Sequence, residues 1–309
     1  MNMGTIGIDT SNYTTSIAFF DGEGGENCSK LLPVKQGELG LRQSDAVFAH
    51  IKSLPELSGR LFSHIQGMQI TAVGVSTRPR AVEGSYMPCF LVGISHATLL
   101  AQALQVPLVK VSHQQGHVAA ALWSADRLEQ MEKPHLAWHL SGGTTELLLV
   151  RPDGITVQAE ILGGTEDISA GQLIDRTGVR LGLAFPAGKA VDQLSRQAKK
   201  DLRFPVKLRE FAFSLSGMEN KMEQLVQKGE DPADVARFTL NVVCDTVAKV
   251  TERAMERHPG LPVLCSGGVA SNAQLREVLS RRCSALFAQP QYSTDNAMGI
   301  AVLTWLQGE

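Results

Sequence analysis

The chain contains one pattern twice, as TIGIDTSNYTTSIAFF at residues 5–20 and as LAWHLSGGTTELLLV at residues 136–150. In each copy, two apolar runs flank a turn rich in serine, threonine or glycine, which is typical of a β-hairpin. The copies stand at similar places in two halves of the chain. We therefore expect a duplicated fold in which a hairpin opens each half.

Strands and helices alternate after each hairpin. The first half continues with a strand at 70–76, a helix that ends near Leu104, a strand at 106–112 and a helix that begins at Ser112. The second half continues with a loop after Val150, helices around 170–181, 232–257 and 270–282, a strand at 261–268 and a capped helix at 293–306. Strands that alternate with helices predict an α/β protein with a mostly parallel sheet.

The length of the chain, 309 residues, predicts two domains. The charged segment DRLEQMEKP at 126–134 ends at a proline, and we place the hinge there. The expected domains are residues 1–130 and residues 131–309. We also expect the C-terminal helix, at 294–309, to pack back on the first domain.

The bulk composition limits the partners that this chain can hold alone. The formal net charge is −2 and the hydrophobic content is 43%, which is ordinary for a globular protein. Proteins that bind a phosphate backbone unaided are usually basic. A nucleic-acid role must therefore rest on a local basic patch or on a partner.

The sequence also predicts where the protein works. The five cysteines show no CxxC spacing, and we expect reduced thiols. The N-terminus runs straight into a strand, without the charged and apolar regions of a signal peptide. Residues 87–109 are uncharged but contain Ser95, His96 and Gln102, which are costly in lipid. We therefore expect a cytoplasmic protein without a membrane partner.

Two histidines follow the strand VPLVKV. Ser112 and Gln115 form a capping-box pattern, so a helix is expected to begin at Ser112 and to place His113 and His117 on one face. Two imidazoles at this spacing can bind one metal ion. The alternative is a polar pair at a helix end. No glutamate follows His113, so the general base of an HExxH peptidase is missing.

The turn of the second hairpin contains Ser141, Gly142, Gly143 and Thr144. Glycines let the backbone approach a ligand, and successive N–H groups with hydroxyls can bind an anion. A plain hairpin turn is the alternative.

Asp9 and Ser11 stand at the equivalent turn of the first hairpin. An acidic residue there could hold magnesium through water beside a phosphate. The alternative is a turn-forming cluster of polar residues.

A second glycine-rich junction, SGGVASN at 266–272, ends a buried strand and precedes a helix. Free N–H groups and the positive end of the helix dipole suit a nucleotide, which implicates Gly267, Gly268 and Asn272. An ordinary turn capped by Ser271 or Asn272 is the alternative.

Asp295 is expected in the first turn of the last helix, where an acid is stabilising by itself. As a hard oxygen ligand, it could also complete a set of two histidines and one aspartate around a metal ion.

Eight segments, taken in order, resemble the motifs of the TsaD family within the actin/hexokinase/Hsp70 superfamily. They are IGIDTS, EGSYMPCFLVGISHATLLA, VSHQQGHVAAAL, LSGGTTELLLV, EDISAGQLIDRTGVRLGLAFPAGKAVDQL, FSLSGME, CSGGVASNAQLR and YSTDNAMGIA. The resemblance covers almost the whole chain. It implies a two-domain actin-like ATPase fold with duplicated mixed sheets flanked by helices. The family was once described as a glycoprotease, but a peptidase activity is not expected here.

The resemblance implies a transferase. TsaD enzymes move threonylcarbamoyl from threonylcarbamoyl-AMP to a tRNA adenine next to the anticodon. A divalent metal ion is implied, with Fe or Zn expected first and Mg or Mn left open. An ATP- or AMP-type nucleotide is the implied ligand, and TsaB-like and TsaE-like proteins are the implied partners.

The resemblance also assigns residues by position, and no residue is assigned as catalytic. His113, His117 and Asp295 match the metal ligands. The predicted nucleotide and substrate contacts are Asp9, Ser11, Ser141, Gly142, Gly143, Thr144, Asp175, Gly188, Asp192, Gly267, Gly268 and Asn272.

Several positions depart from the family motifs. The SCDET stretch reads SNYTT at 11–15, the glutamate of HMEGH is Gln115, the histidine of SGGHT is Thr144, and the lysine of FSGLK is Glu219. A glutamate in place of a lysine is unfavourable beside phosphates. These departures leave a second hypothesis open. It is a divergent paralogue that binds nucleotide and metal but acts on another acceptor or regulates the true tRNA-modifying complex.

Overall fold

The computed structural model describes residues 2–11, 13–33 and 41–308, and it divides the chain into two compact units. Unit 1 comprises Met1–Lys133, Arg151–Ala159 and Asp295–Glu309, and unit 2 comprises Pro134–Val150 and Glu160–Thr294. The domain limits expected from the sequence, 1–130 and 131–309, stay a prediction.

Each half of the chain opens with three successive strands, and helices and further strands follow. The first half contains β1 (Met3–Thr10), β2 (Thr14–Phe20), β3 (Gly25–Leu31), α1 (Gln43–His64), β4 (Gln69–Ser76), α2 (Phe90–Leu104), β5 (Leu108–Val111) and α3 (His113–Ser124). The second half contains β6 (His135–Leu140), β7 (Thr145–Asp153), β8 (Thr156–Thr165), α4 (Ala170–Arg180), α5 (Gly188–Ser195), β9 (Leu208–Arg209), β10 (Ala212–Phe213), α6 (Ser216–Gln227), α7 (Pro232–Arg257), β11 (Val263–Ser266), α8 (Ala273–Cys283), β12 (Leu286–Phe287) and α9 (Met298–Leu306).

Unit 1 is built on a mixed sheet with the strand order β3-β2-β1-β4-β5. The strands β1 and β2 are antiparallel. In contrast, β4 runs parallel to β1, and β5 runs parallel to β4. Ile6, Ile8 and Ile17 are buried in one apolar cluster with residues of α1 and α2. On β1, Thr5 also donates a 2.8 Å hydrogen bond from Oγ1 to the carbonyl of Ala301 in α9. Helices therefore contact the central strand of this sheet.

Unit 2 repeats this arrangement. Its sheet has the order β12-β11-β6-β7-β8-β10-β9, so that β8-β7-β6-β11-β12 corresponds to β3-β2-β1-β4-β5. The pair β6 and β7 is antiparallel, and β11 is parallel to β6. Trp138 lies at the centre of the core and donates a 2.8 Å hydrogen bond to Thr251 Oγ1 of α7. The predicted duplicated α/β fold with mixed sheets is confirmed.

Two local predictions are wrong. The loop expected after Val150 is a hairpin, because β7 continues to Asp153 and β8 begins at Thr156. Gly154, with a φ of +60°, supplies the left-handed residue that this tight turn needs. The helix expected over 270–282 begins at Ala273, because Asn272 is its N-cap and a 3-10 helix precedes it.

The position of Asp295 is also corrected. The last helix begins only at Met298, so Asp295 precedes its first turn. Asn296 Oδ1 accepts a 3.0 Å hydrogen bond from the N–H of Met298 and satisfies the helix start. This N–H at the helix start therefore has a side-chain acceptor other than Asp295.

All five cysteines are free and buried. In the part of the chain that the structure describes, no helix is both long enough and apolar enough to cross a membrane.

Candidate functional site

The three predicted metal ligands meet in unit 1. His113 Nε2 lies 2.9 Å from His117 Nε2, and His117 Nε2 lies 3.1 Å from Asp295 Oδ1. The third distance, from His113 Nε2 to Asp295 Oδ1, is 3.6 Å. All three side chains are partly buried. The structure thus brings together two imidazoles from one helix and a carboxylate that lies 178 residues after His117.

These distances suit a single metal ion. Donors at about 2.0–2.1 Å from an ion lie about 3.3 Å apart in a tetrahedron and about 2.9 Å apart in an octahedron. The observed distances of 2.9, 3.1 and 3.6 Å bracket both values. Two histidines and one carboxylate also leave further coordination positions for a substrate or water.

Asp9, at the end of β1, orients one of these histidines. Its side chain is fully buried, and both of its oxygens lie 3.1 Å from His113 Nδ1, which donates to them. Ser76, at the end of β4, donates a short hydrogen bond to Asp9 Oδ1. A carboxylate that holds Nδ1–H turns Nε2 of the same ring towards the ligand position. The role of Asp9 as a direct nucleotide contact stays a prediction.

Charges govern the protonation of this cluster. Burial disfavours the imidazolium, but the negative charges of Asp9 and Asp295 outweigh burial and raise the pKa of His113 to about 10. Burial raises the pKa of Asp295, but hydrogen bonds from His113 and His117 hold the pKa of this carboxyl well below its usual range. A metal ion must therefore displace a proton from His113 when it binds.

The sequence positions these ligands through a helix cap and a glycine contact. Ser112 Oγ accepts a hydrogen bond from the N–H of Gln115, whose Oε1 accepts from the N–H of Ser112, so α3 begins where the capping box predicted. In α9, a Cβ on Gly299 would lie 1.8 Å from the carbonyl oxygen of Gly116. The two helices can therefore approach closely only because Gly299 lacks a side chain.

Gln115 and Ser11 have local partners around this cluster. Gln115 Nε2 donates a 2.9 Å hydrogen bond to the carbonyl of Val157, so both ends of its side chain serve the structure. Ser11 Oγ lies 3.5 Å from Asp295 Oδ2, to which it donates. The next residue, Asn12, lies outside the described residues.

A second group of potential metal ligands exists among the described residues of unit 1. Glu26, Cys28 and His64 place their ligand atoms within 4.8 Å of one another. His64 Nδ1 is 3.5 Å from Glu26 Oε1, and both side chains are largely exposed. Burial raises the pKa of the Cys28 thiol, which disfavours the thiolate that a metal needs. This group serves below as an internal control.

The glycine turn of unit 2 is stabilised by hydrogen bonds to the side chain of Ser141. Ser141 Oγ accepts hydrogen bonds from the N–H groups of Gly143 and Thr144, at 3.3 and 3.0 Å. The carbonyl of Gly142 accepts a 2.7 Å hydrogen bond from Ser169 Oγ, the N-cap of α4. A Cβ on Gly142 or Gly143 would meet nothing within 4 Å. The turn is thus open to a ligand, and an anion there would compete with Ser141 for the N–H groups.

The junction at Gly267 lies beside this turn, because β11 and β6 are neighbouring parallel strands. Gly267 has a φ of +95°, and a Cβ there would lie 2.1 Å from the carbonyl oxygen of Leu140, the residue before Ser141. A Cβ on Gly268 would have only Thr294 at 4.0 Å. Gly267 is therefore required by the backbone, whereas Gly268 faces open space.

The remaining predicted contacts of unit 2 surround α5. Asn272 caps α8 through Oδ1 and donates a 3.2 Å hydrogen bond from Nδ2 to Asp192 Oδ1. Asp175 accepts a 2.8 Å hydrogen bond from the N–H of Ala187, the residue before Gly188. Burial raises the pKa of Asp175. Their roles as nucleoside contacts stay predictions.

Two features escaped the interpretation of the sequence. Ser76, the partner of Asp9, could have been noticed as a polar residue at the buried end of a strand, directly after the run AVGV at 72–75. Asp167 accepts hydrogen bonds from the N–H groups of Leu215 and Ser216, at 2.9 and 3.3 Å, and so fixes the start of α6. No local signal links Asp167 to residues 48 and 49 positions later.

Comparison with known proteins places the fold in a class. The full-length HypF crystal structure, in its phosphate- and nucleotide-bound form, matches with a TM-score of 0.60 and 13% sequence identity. The match covers 98% of this chain and 55% of that chain. The protein thus has the actin-like ATPase fold that the sequence predicted.

The family is identified by sequence. The TsaD model, described as tRNA N6-adenosine threonylcarbamoyltransferase, matches residues 38–302. A protein of that name from Sulfurihydrogenibium sp. is 32% identical over 290 residues, which cover 89% of this chain and 81% of the relative. Another from Thermus thermophilus is 31% identical over 311 residues, which cover 98% and 92%. The chain belongs to the TsaD family of transferases.

Proposed function

We propose that this protein transfers threonylcarbamoyl from threonylcarbamoyl-AMP to the N6 amine of a tRNA adenine next to the anticodon. The amine forms a new bond to the carbamoyl carbon, the bond from that carbon to the phosphate oxygen breaks, AMP leaves, and the amine loses a proton. Relatives named for this activity cover almost the whole chain.

The observation that carries the proposal is the convergence of His113, His117 and Asp295 in unit 1. These residues would hold one divalent ion, and the donor set suits Fe or Zn better than Mg, which prefers oxygen ligands. The ion would supply a Lewis acid that polarises the carbamoyl carbonyl. Asp9 keeps the ring of His113 in a fixed orientation for this task.

In unit 2, the glycine turn would hold the phosphate of the adenylate. The free space beside Gly142 and Gly143, at the start of α4, supports this role because helix starts attract anions. A phosphate there would take over the N–H groups of Gly143 and Thr144, which now donate to Ser141 Oγ. The hydrogen-bonded pair of Asp192 and Asn272 offers polar atoms for a ribose. The nucleotide would be of the ATP or AMP type.

A divergent paralogue with another acceptor, or one that regulates the true tRNA-modifying complex, is the second candidate. The observation that favours it is Glu219, which stands where the family motif has lysine. Both of its oxygens accept 2.9 Å hydrogen bonds from Arg176 Nη1, so Glu219 neutralises a cation on this surface.

The proposed partners follow the same family resemblance. They are a tRNA acceptor and TsaB-like and TsaE-like proteins, and the assay below supplies such proteins so that their absence does not stop turnover.

The first experiment measures bound metal in the purified chain by mass spectrometry. Asp295→Ala and His113→Ala should each lose the ion, because a site with two remaining ligands binds a divalent metal weakly. His64→Ala is the matched control, since it disables the second ligand group and should keep one ion per chain. If His64→Ala loses the ion and His113→Ala keeps it, the proposed site is wrong.

The second experiment separates the two candidate functions. Cells depleted of their own TsaD would express this chain, and modified adenosine in their tRNA would be quantified by mass spectrometry. Restored modification that disappears with Asp295→Ala supports the transferase. A soluble, metal-loaded chain that restores nothing, even with TsaB-like and TsaE-like proteins present, favours the paralogue.

A further inference from the structure

One segment departs strongly from the charge balance of the chain. Residues 196–209, RQAKKDLRFPVKLR, contain six lysines and arginines and one acidic residue, whereas the whole chain has 29 basic and 31 acidic residues. We call these residues the basic segment. All six cationic side chains are exposed. An otherwise slightly acidic protein thus concentrates positive charge on 14 consecutive positions of unit 2.

Hydrogen bonds hold the backbone of the basic segment against α7. The buried carboxylate of Asp234 accepts hydrogen bonds from the N–H groups of Lys199 and Lys200, at 2.7 and 2.9 Å. Asn241 Nδ2 donates to Asp201 Oδ1 and to the carbonyl of Leu202, at 2.7 and 3.0 Å. The cations therefore project from an ordered backbone. Binding a ligand here costs less conformational entropy than it would on a flexible loop.

The second half of the segment alternates between core and solvent. Leu202, Val206 and Leu208 pack against the core of unit 2, whereas Arg203 and Lys207 point outward. Phe204 lies partly exposed between them, with its ring 5.6 Å from that of Phe238. A row of cations with an aromatic ring is a surface that suits a nucleic-acid backbone and its bases.

Local acids neutralise only part of this charge. Arg203 pairs with Asp245 and Asp201, and Lys200 pairs with Glu230. Within the described residues, Lys199, Lys207 and Arg209 form no ion pair. A cavity of about 210 Å³ opens between the first cations and is lined in part by Arg196, Lys199, Lys200 and Arg237.

The basic segment also begins at the proposed nucleotide site. Arg196 Nη2 donates a 2.9 Å hydrogen bond to Asp192 Oδ2, and Asp192 Oδ1 accepts from Asn272. A chain of hydrogen bonds thus links the first cation to residues proposed to contact the nucleoside. A polyanion on this segment would lie next to the nucleotide within the same unit.

We infer that the basic segment is the surface on which this protein binds the phosphate backbone of its RNA acceptor. This inference rests on the proposed transfer to tRNA. The competing explanation is structural, because Leu208 and Arg209 form the edge strand of the sheet and cations protect such edges from pairing with other chains. Protection of this edge strand requires charge only near Arg209. It requires neither Lys199 nor the hydrogen bonds that hold the backbone of Lys199 and Lys200 to Asp234.

The test neutralises the three cations that have no ion pair, in the variant Lys199→Gln, Lys207→Gln, Arg209→Gln. Binding to an unmodified tRNA transcript is measured at several salt concentrations. Each lost phosphate contact should make the slope of log K against log salt less negative by about 0.7–0.9, and three contacts by about 2–3. Relative to 1 M salt, where counterion release contributes nothing, this slope change lowers the affinity at about 0.1 M salt by roughly 100- to 1000-fold.

The matched control removes three exposed cations from unit 1, in the variant Lys52→Gln, Arg60→Gln, Lys110→Gln. Its net charge is the same, so an unchanged salt slope shows that position, not total charge, matters. In turnover assays, the basic-segment variant should raise the KM for tRNA and leave kcat nearly unchanged.

The outcomes separate this inference from the proposed function. If the native protein modifies tRNA but the basic-segment variant keeps its salt slope and KM, the surface is overturned and the transferase stands. If the native protein binds no tRNA in the presence of its partners, both fall. The basic-segment variant should match the native protein in metal content and in AMP binding. A match excludes a folding defect as the cause of weaker tRNA binding.

Discussion

Gly267→Ala tests the link between backbone geometry and the nucleotide site of unit 2. Gly267 has a φ of +95° and a ψ of 159°. Only glycine populates this region readily, and another residue there costs about 1–3 kcal/mol. The added Cβ would lie 2.1 Å from the carbonyl oxygen of Leu140.

The contact adds to the backbone cost because a carbonyl oxygen cannot rotate away as a flexible side chain can. Overpacking of this kind typically costs about 1–3 kcal/mol, so the expected loss of stability is roughly 2–6 kcal/mol. The protein could instead relieve this contact by moving the end of β6. That movement would also displace the turn that begins at Ser141. The substitution should therefore weaken AMP binding as well as folding.

Gly268→Ala is the matched control, since its Cβ would have only Thr294 at 4.0 Å. Its stability should stay within about 0.5 kcal/mol of the native protein. Urea denaturation gives the free energy of unfolding, and hydrogen exchange of peptides from unit 2 locates the loss. Calorimetry with AMP reports the site. The reasoning is refuted if the free energy of unfolding of Gly267→Ala lies within about 1 kcal/mol of the native value. It is also refuted if Gly268→Ala lowers the free energy of unfolding as much as Gly267→Ala does.

The remaining predictions concern two kinds of helix cap. Asp167→Ala should destabilise unit 2 by about 1 kcal/mol at neutral pH, a value kept low because water screens this exposed carboxylate. Burial raises the pKa of Asp167, but hydrogen bonds from Ser214 and Ser216 lower this pKa well below its usual range. The stabilisation is therefore present above about pH 4 and lost as the pH falls, so denaturation curves of variant and native protein should converge in acid. Ser112→Ala and Ser169→Ala each remove one capping box and should each cost about 1 kcal/mol. Chelator competition should show weaker metal binding only for Ser112→Ala, and AMP calorimetry weaker nucleotide binding only for Ser169→Ala; equal effects of both on both ligands would contradict the assignment.

Local patterns in the sequence predicted much of the fold. The hairpins, the start of α3 at Ser112 and the length of α7 depend on neighbours within a few residues, which a sequence displays directly. The hairpin of β7 and β8 was not predicted, although polar and apolar residues alternate at the start of β8, a pattern that is typical of a half-buried strand. The dipeptide Asp153-Gly154 was the signal that could have indicated it.

The site shows the same division between local and distant information. The spacing of His113 and His117 placed both rings on one helix face, and family resemblance supplied Asp295. The sequence could not show that Asp295 lies ahead of the last helix, because Asn296 and Asp295 are both plausible caps and packing decides between them. The support of His113 by Asp9 and Ser76 depends on strand pairing, which places residues 67 and 104 positions apart in contact.

The duplicated register explains why two different sites arise on one scaffold. Thr10 pairs with Thr15 at the end of β1, and Leu140 pairs with Thr145 at the end of β6, so Asp9 in unit 1 occupies the position of His139 in unit 2. The neighbouring parallel strands place Ser76 beside Asp9 and Ser266 beside His139. Each sheet therefore presents polar residues at the same carboxyl edge. Unit 1 adds two imidazoles and a carboxylate, which attract a cation, whereas unit 2 adds the backbone N–H groups and hydroxyls of the turn at 141–144, which attract an anion. The ligand preference of each unit thus follows from the few side chains added at this edge.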